Sequence, residues 1–218
     1  SSIREGGIGG SNRYEELEGY DNSELVINTA RRIDQLLKKI EIQSKSFDQI
    51  VELVKNKEKM LSSIPAIQPI SNKDLGHIAS GFGFRIHPIY KTKRMHYGMD
   101  FTASRGSDVY VTGDGVVSEV KFSRRGYGNE IVIDHGFSYK TRYAHLQTIM
   151  VREGQKVKRG EIIGTVGNTG LSSAPHLHYE VLYKNTAVNP VNYFYEDLTP
   201  EEYDRMVEIS TQSGQTLD

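Results

Sequence analysis

Four of the seven histidines fall into two short patterns and one isolated position. His96-Tyr97-Gly98-Met99-Asp100 spaces a histidine and an aspartate as H-x3-D. His176-Leu177-His178 is an H-x-H, and His145 stands alone in Tyr143-Ala144-His145-Leu146. Alternate residues of a strand point to one face, so His176 and His178 project together with Leu177 packed behind them. The H-x3-D pair also shares a face, whether on a strand or over one helical turn. Imidazole nitrogens and carboxylate oxygens suit tetrahedral zinc, and two histidines with one aspartate leave a fourth position for water, as in a catalytic site. Zinc lowers the pKa of bound water to roughly 7 and polarises a scissile carbonyl. The chain has no H-E-x-x-H, so the glutamate base of the common zinc peptidases is missing and a base must come from elsewhere.

These residues lie in a stretch with β texture. Segments 109–111, 116–122, 129–134, 139–144, 161–166 and 178–183 are rich in β-branched and aromatic residues and read as strands. Gly113-Asp114-Gly115, Arg125-Gly126-Tyr127-Gly128 and Asn168-Thr169-Gly170 read as turns. The spacing predicts a mainly β, antiparallel catalytic domain over 77–198. Ahead of it, Val26, Ile33, Ile40, Phe47, Val54 and Leu61 recur every seven residues. Leu36 and Ile50 add to the companion position, where Gln43 and Lys57 interrupt it. This predicts a long helix or helical hairpin over 21–62, weakly like a coiled coil, capped near Asn22 or Ser23. Pro65 and Pro69 mark a linker over 63–76. Residues 1–20, with four early glycines, read as a flexible lead. Thr199-Pro200-Glu201-Glu202 predicts a helix start within a C-terminal helix and tail over 199–218.

Composition narrows the classes. The 218 residues are 37% hydrophobic and 25% charged, an ordinary soluble profile. A formal charge of −1 gives no global pull toward nucleic acid, which is not expected as a partner. With no cysteine, disulfides and thiolate-ligated zinc are excluded. No run approaches the roughly 20 apolar residues of a membrane helix. The first residue is Ser1, so a trimmed or processed chain is expected, with a signal or membrane anchor outside it.

Two longer stretches carry a resemblance. Ser80-Gly81-Phe82-Gly83-Phe84-Arg85-Ile86-His87-Pro88 precedes the H-x3-D, and Gly167-Asn168-Thr169-Gly170-Leu171-Ser172-Ser173-Ala174-Pro175 leads into His176-Leu177-His178-Tyr179-Glu180. Over residues 80–193 the chain resembles the lysostaphin/LytM-type zinc endopeptidases that cleave bacterial peptidoglycan. The resemblance implies one zinc ion held by His96, Asp100 and His178, with His145 and His176 as the catalytic pair beside it. Histidine exchanges protons near neutral pH, so either can activate water while the other stabilises the oxyanion or protonates the leaving amine. Ala174 stands where many members carry glycine, a change that leaves the assignment intact. The implied partner is a peptidoglycan peptide and the implied location is the cell envelope, periplasmic or extracellular.

The other residues have plainer readings. His87 is expected to be structural, and His77 and His135 ordinary surface or turn histidines. Arg85 reads as a binder of substrate carboxylate or as an internal ion pair, and Tyr127 as lining a groove or packing a turn. Tyr143 and Tyr179 are expected to point away from the site. Glu180 reads as a partner of the metal site or as a surface ion pair. Residues 154–164 resemble lipoyl- and biotinyl-carrier β-domains, but no modifiable lysine sits at a hairpin tip, so shared β architecture is the expectation. A non-catalytic regulator on the same domain is the rival function. A D-alanyl-D-alanine carboxypeptidase type is disfavoured by the short H-x3-D and the missing E-x-x-H. Stem-peptide D,D-cross-links are favoured over glycine bridges as substrate. The helix is expected to be a spacer from a membrane anchor, with a dimer stem or an autoinhibitory cover as alternatives.

Overall fold

The computed structural model describes residue 19, residues 21–86, 92–196 and 198–211, and residue 217. The expected lead over 1–20, the His87-Pro88 turn and most of the C-terminal tail lie outside the described residues. The chain divides into two units, Ser1–Glu58 and Lys59–Asp218.

The first unit is dominated by α1, Ser23–Ser63, whose final turn belongs to the second. It is one continuous helix of 41 residues rather than a hairpin. The heptad residues Val26, Ile33, Ile40, Phe47, Val54 and Leu61 are all exposed along it. Pairs such as Glu41–Lys45, four residues apart on its surface, add only local support.

The second unit is built of antiparallel strands: β1 (Leu75–Ser80), β2 (Gly83–Ile86), β3 (Lys93–His96), β4 (Met99–Ala103), β5 (Asp108–Tyr110), β6 (Gly115–Lys121), β7 (Glu130–Gly136), β8 (Tyr139–Ala144), β9 (Thr148–Ile149), β10 (Lys156–Val157), β11 (Ile162–Thr165), β12 (His176–Tyr183) and β13 (Thr186–Val188). The main sheet runs β1-β4-β12-β8-β7-β6-β10, with β13 added beside β12. A three-stranded sheet, β5-β11-β9, and the β2–β3 pair complete the architecture. Mainly antiparallel β structure with a long N-terminal helix is thus the observed fold.

Period-two alternation explains where the core lies. On β12, Leu177, Tyr179 and Val181 are fully buried among Met99, Phe101, Ile131 and Phe194. His176, His178 and Glu180 take the opposite face and are buried too. Burial of both faces follows from the central position of β12, between β4 and β8. Tyr143 and Tyr179 face the core side, where Thr112 Oγ1 lies 3.1 and 2.8 Å from their hydroxyls, so both phenols are satisfied away from the histidines.

Residues 63–70, within the stretch read from sequence as a linker, pack into the second unit. Ser63, Ala66, Gln68 and Ile70 are buried. Ala66 N–H donates to Thr112 O at 3.0 Å, and Tyr110 N–H to Pro69 O at 2.9 Å. Arg159 caps the end of α1 through the carbonyls of Leu61, Ser62 and Ile64. Helix α2, Pro200–Thr211, opens with the reciprocal cap expected of Thr199 and Glu202: Glu202 N–H donates to Thr199 Oγ1 at 3.2 Å and Thr199 N–H to Glu202 Oε2 at 2.8 Å.

Candidate metal centre

His96 closes β3 and Asp100 lies on β4, so the H-x3-D spans two strands of two different sheets. These are two strands rather than the one strand or helical turn that the spacing suggested, but the pair shares a face as expected. The chain bends at Tyr97-Gly98 without reversing, so β3 and β4 continue one another along a kinked hairpin against β2 and β1, and Gly98 is required there. A Cβ on Gly98 would overlap the Tyr179 carbonyl and come within 2.9 Å of His178 Nε2. Asp100 then pairs in register with His178 across β4 and β12, which sets the carboxylate and the imidazole side by side.

Three donor atoms converge. His96 Nε2 is 3.1 Å from Asp100 Oδ1, His178 Nδ1 is 3.1 Å from the same oxygen, and the two nitrogens are 3.0 Å apart. The other nitrogen of each ring is committed outward. His96 Nδ1 lies 2.8 Å from Gly81 O, which can only accept, so that nitrogen carries its proton. His178 Nε2 lies 3.1 Å from Glu180 Oε1 and donates to it. In the neutral rings, both inward nitrogens therefore present lone pairs to each other and to a carboxylate oxygen. Three buried acceptors at such separations repel unless a positive charge sits among them. Tetrahedral zinc with bonds of about 2.0–2.1 Å would space its ligands about 3.3–3.4 Å apart, so the triangle fits after opening by a few tenths of an ångström.

His176, on the same face of β12, directs Nδ1 to Ala174 O at 2.8 Å, which leaves Nε2 on the side of Asp100, 3.8 Å from Oδ1. His145 follows β8 with φ +61°, a left-handed conformation uncommon for residues other than glycine. Its N–H donates to Tyr127 O at 2.9 Å and its Nδ1 lies 2.7 Å from Thr169 O. The turn throws the ring over the end of the sheet, with its centroid 4.7 Å from that of His176 and 6.0 Å from that of His178. All five histidine and aspartate side chains singled out by sequence thus meet in one place.

Behind His178 lies a charged relay that sequence left half open. Glu180 accepts from Tyr127 Oη at 2.6 Å, from Arg142 Nη1 at 2.7 Å and from His178. It is buried, not a surface ion pair. Burial pushes its carboxyl up, but the hydrogen bond from His178, with the Arg142 charge and the Tyr127 hydroxyl, outweighs this and holds it below the usual carboxylate range. Burial, then the neighbouring Glu180 charge, pushes the Tyr127 phenol up to about 12. Tyr127 also stacks over the Arg142 guanidinium, 4.6 Å from ring centroid to Cζ. Arg142 makes a second ion pair with Glu130 at 3.1 Å.

Other expectations resolve differently. Arg85 holds backbone carbonyls of Phe82, Phe84 and Ser210. His135 is buried on β7, contrary to the surface reading, with its ring nitrogens 2.9 Å from Asp114 O and 2.8 Å from Thr141 Oγ1. His77 is exposed, beside Thr102 Oγ1. A cleft of about 450 Å³ opens onto His96, His145 and His178, walled by Lys93, Arg94, Tyr97, Tyr127 and Leu171. A cleft of that size falls in the range of ligand-binding sites.

The profile of Peptidase family M23 matches residues 94–190. The DD-carboxypeptidase/endopeptidase Mpg of Neisseria meningitidis serogroup B is 46% identical over 115 residues, which cover 53% of this chain and 26% of Mpg. The peptidoglycan DD-endopeptidase ShyA of Vibrio cholerae is 49% identical over 106 residues, 48% of this chain and 24% of ShyA. A zinc-containing peptidase from Vibrio cholerae superposes with a TM-score of 0.55 and 41% identity, over 62% of this chain and 41% of that one. The chain spans about a quarter of the length of these curated relatives.

Proposed function

This chain carries a domain of peptidase family M23, and from that premise we propose that it is a zinc-dependent endopeptidase of bacterial peptidoglycan. His96, Asp100 and His178 are the residues that would hold one zinc ion. The observation that carries this is the triangle of three buried acceptor atoms, 3.0–3.1 Å apart, whose rings are each fixed from behind. The zinc-containing relative is consistent with that metal. Zinc bound there supplies Lewis acidity to a scissile carbonyl and to a water.

His145 and His176 are the acid–base pair. Each donates its Nδ1 proton to a main-chain carbonyl, which fixes the tautomer and leaves Nε2 as the basic atom. One Nε2 takes the proton of the attacking water, and the imidazolium returns it to the leaving amine. The other donates to the developing oxyanion once protonated. The cleft walls position the peptide beside His145, which lines the cleft with His96 and His178.

ShyA is named a DD-endopeptidase and Mpg a DD-carboxypeptidase/endopeptidase, which favours D,D-cross-links between stem peptides as the substrate bond. Such a substrate places the site of action in the cell envelope. No described helix is long and apolar enough to cross a membrane. We read α1 as a spacer stem whose exposed heptad stripe pairs with a second copy, because an unpartnered apolar stripe of that length favours association. Sedimentation of the full chain distinguishes the two states, and a monomer at every concentration would refute the pairing.

The direct test is digestion of purified peptidoglycan, with the products identified by mass spectrometry. Cross-linked dimers should fall to monomers cut at the D,D-bond, and a chelator should abolish the reaction. Zinc uptake without any cut would instead support the regulator.

A further inference from the structure

Two of the three donor residues are held from outside their own strands by the C-terminal segment. Resting on the reading of His96 and Asp100 as zinc ligands, we propose that the end of α2 and Leu217 are positioning elements of the metal centre, acting through Gly81 on His96 and directly on Asp100.

The first path starts at α2. Met206 is buried in the core, and Tyr203 and Val207 pack against it, so the helix is docked along its length. Its last turn is capped by Arg85, whose Nη2 donates to Ser210 O at 2.5 Å, the charge suited to a helix C-terminus. The same guanidinium donates to Phe82 O and Phe84 O, which ties the end of α2 to the segment after β1. Gly81 lies against the Ser210 backbone. A Cβ added there would overlap the Ser210 carbonyl and come within 2.8 Å of Ser210 Cα. That close approach fixes where the Gly81 carbonyl points, and Gly81 O is the acceptor that holds His96 Nδ1 at 2.8 Å. The tautomer and orientation of His96 therefore depend on an element more than a hundred residues later in the chain.

The second path ends on the carboxylate. Leu217 N–H donates to Asp100 Oδ2 at 3.1 Å, the oxygen not turned toward the two imidazoles. Leu217 O in turn accepts from Ser173 N–H and Ser173 Oγ, both at 2.8 Å. Ser173 stands three residues before His176, so this residue is pinned between the loop leading into β12 and the Asp100 side chain. A main-chain amide on the outer oxygen holds the carboxylate plane, so that Oδ1 stays turned toward the two imidazoles.

The test uses the full chain stripped of metal and measures zinc affinity by competition with a chelator, together with the visible spectrum of the cobalt(II) form and the melting of the apo-protein. Leu217→Pro removes the amide donor, whereas Leu217→Ala keeps it. Outer partners of metal ligands are typically worth roughly 10–100-fold in affinity, so Leu217→Pro should lose about tenfold while Leu217→Ala binds as wild type. Gly81→Ala should lose affinity as well and shift the cobalt spectrum, because it moves the carbonyl that orients His96. The inference is overturned if wild type binds zinc and His178→Ala does not, yet Leu217→Pro and Gly81→Ala bind as tightly as wild type. It is overturned equally if these variants melt earlier with affinity and spectrum unchanged, which is a purely structural role. Faster turnover in Leu217→Pro at unchanged affinity would overturn it too, making Leu217 an occupant of the site. A wild type that takes up no zinc at all would remove the reading beneath it and the inference with it.

Discussion

Replacing Glu180 by glutamine separates the shape of the relay behind His178 from its charge. The carboxylate is 1% exposed and accepts from three donors, His178 Nε2, Tyr127 Oη and Arg142 Nη1. Glutamine keeps the volume but has one oxygen. With that oxygen toward His178 and Tyr127, its NH2 faces the Arg142 guanidinium, donor against donor. With the amide reversed, His178 Nε2 loses its acceptor and the tautomer is no longer fixed. A bond to an ionised acceptor is roughly twice as strong as a neutral one, so even the better rotamer weakens the hold on the imidazole. The expected loss of zinc affinity is about 10–100-fold. At about 1.4 kcal/mol per tenfold, this amounts to about 1.4–2.8 kcal/mol. Folding stability should fall by about 1.5–3 kcal/mol, the cost of one charge-assisted bond, because Arg142 retains Glu130. Chelator competition on the apo-protein reads the first quantity and urea unfolding the second. A zinc dissociation constant equal to that of wild type would refute the relay, whatever happens to stability.

Two further outcomes follow from packing and burial. A fragment 59–218 should melt close to the second unit of the full chain, whereas 72–218 loses buried Ala66 and Ile70 and the main-chain bonds of Ala66 to Thr112 and of Pro69 to Tyr110. Burial of one isoleucine is worth about 1.5–3 kcal/mol, so 72–218 should melt at least about 5 °C lower, and equal melting would show that residues 59–71 add nothing. Burial lowers the pKa of His135 below 6.5 against the pull of the Asp114 carbonyl and Asp134. The unfolded chain then binds more protons in mild acid, so the stability from neutral His135 is full above about pH 6.5 and is lost as pH falls toward the folded pKa. Between about pH 7.5 and 5.5 the apo wild type should lose more urea stability than His135→Asn, and parallel losses would refute this.

What the sequence made legible was local. The H-x-H needs only strand alternation to place two imidazoles on one face, and β12 does so. The cap at Thr199 and Glu202 is likewise a four-residue pattern. The meeting of Asp100 with His178 was not derivable from spacing, since it depends on β4 lying beside β12 across 78 residues. Only the family resemblance supplied it. The H-x3-D pair shares a face as read, but the bend between its ends rests on the close approach of Gly98 to the Tyr179 carbonyl, which nothing local marks. Glu180 carried a faint signal, two residues beyond His178 on the same strand. Tyr127 and Arg142, which complete its network, lie in turns and strands far along the chain. His135 was misread because its neighbours Asp134 and Gly136 look like a turn, whereas its ring points inward to Thr141. The contributions of Gly81 and Leu217 have no motif at all, being contacts of the C-terminal segment with residues far back in the chain.

The most direct measurement is zinc content and peptidoglycan hydrolysis on the same preparations of five single variants. His96→Ala, Asp100→Ala and His178→Ala should lose both metal and activity, since each removes one of three converging donors. His145→Ala and His176→Ala should retain zinc and lose roughly 10²–10⁴-fold in turnover, the usual contribution of a general acid or base. Zinc lost from His176→Ala and kept by His178→Ala would reverse the two roles on β12. Zinc retained by all five variants, or wild-type hydrolysis without His145 and His176, would contradict the site as assigned.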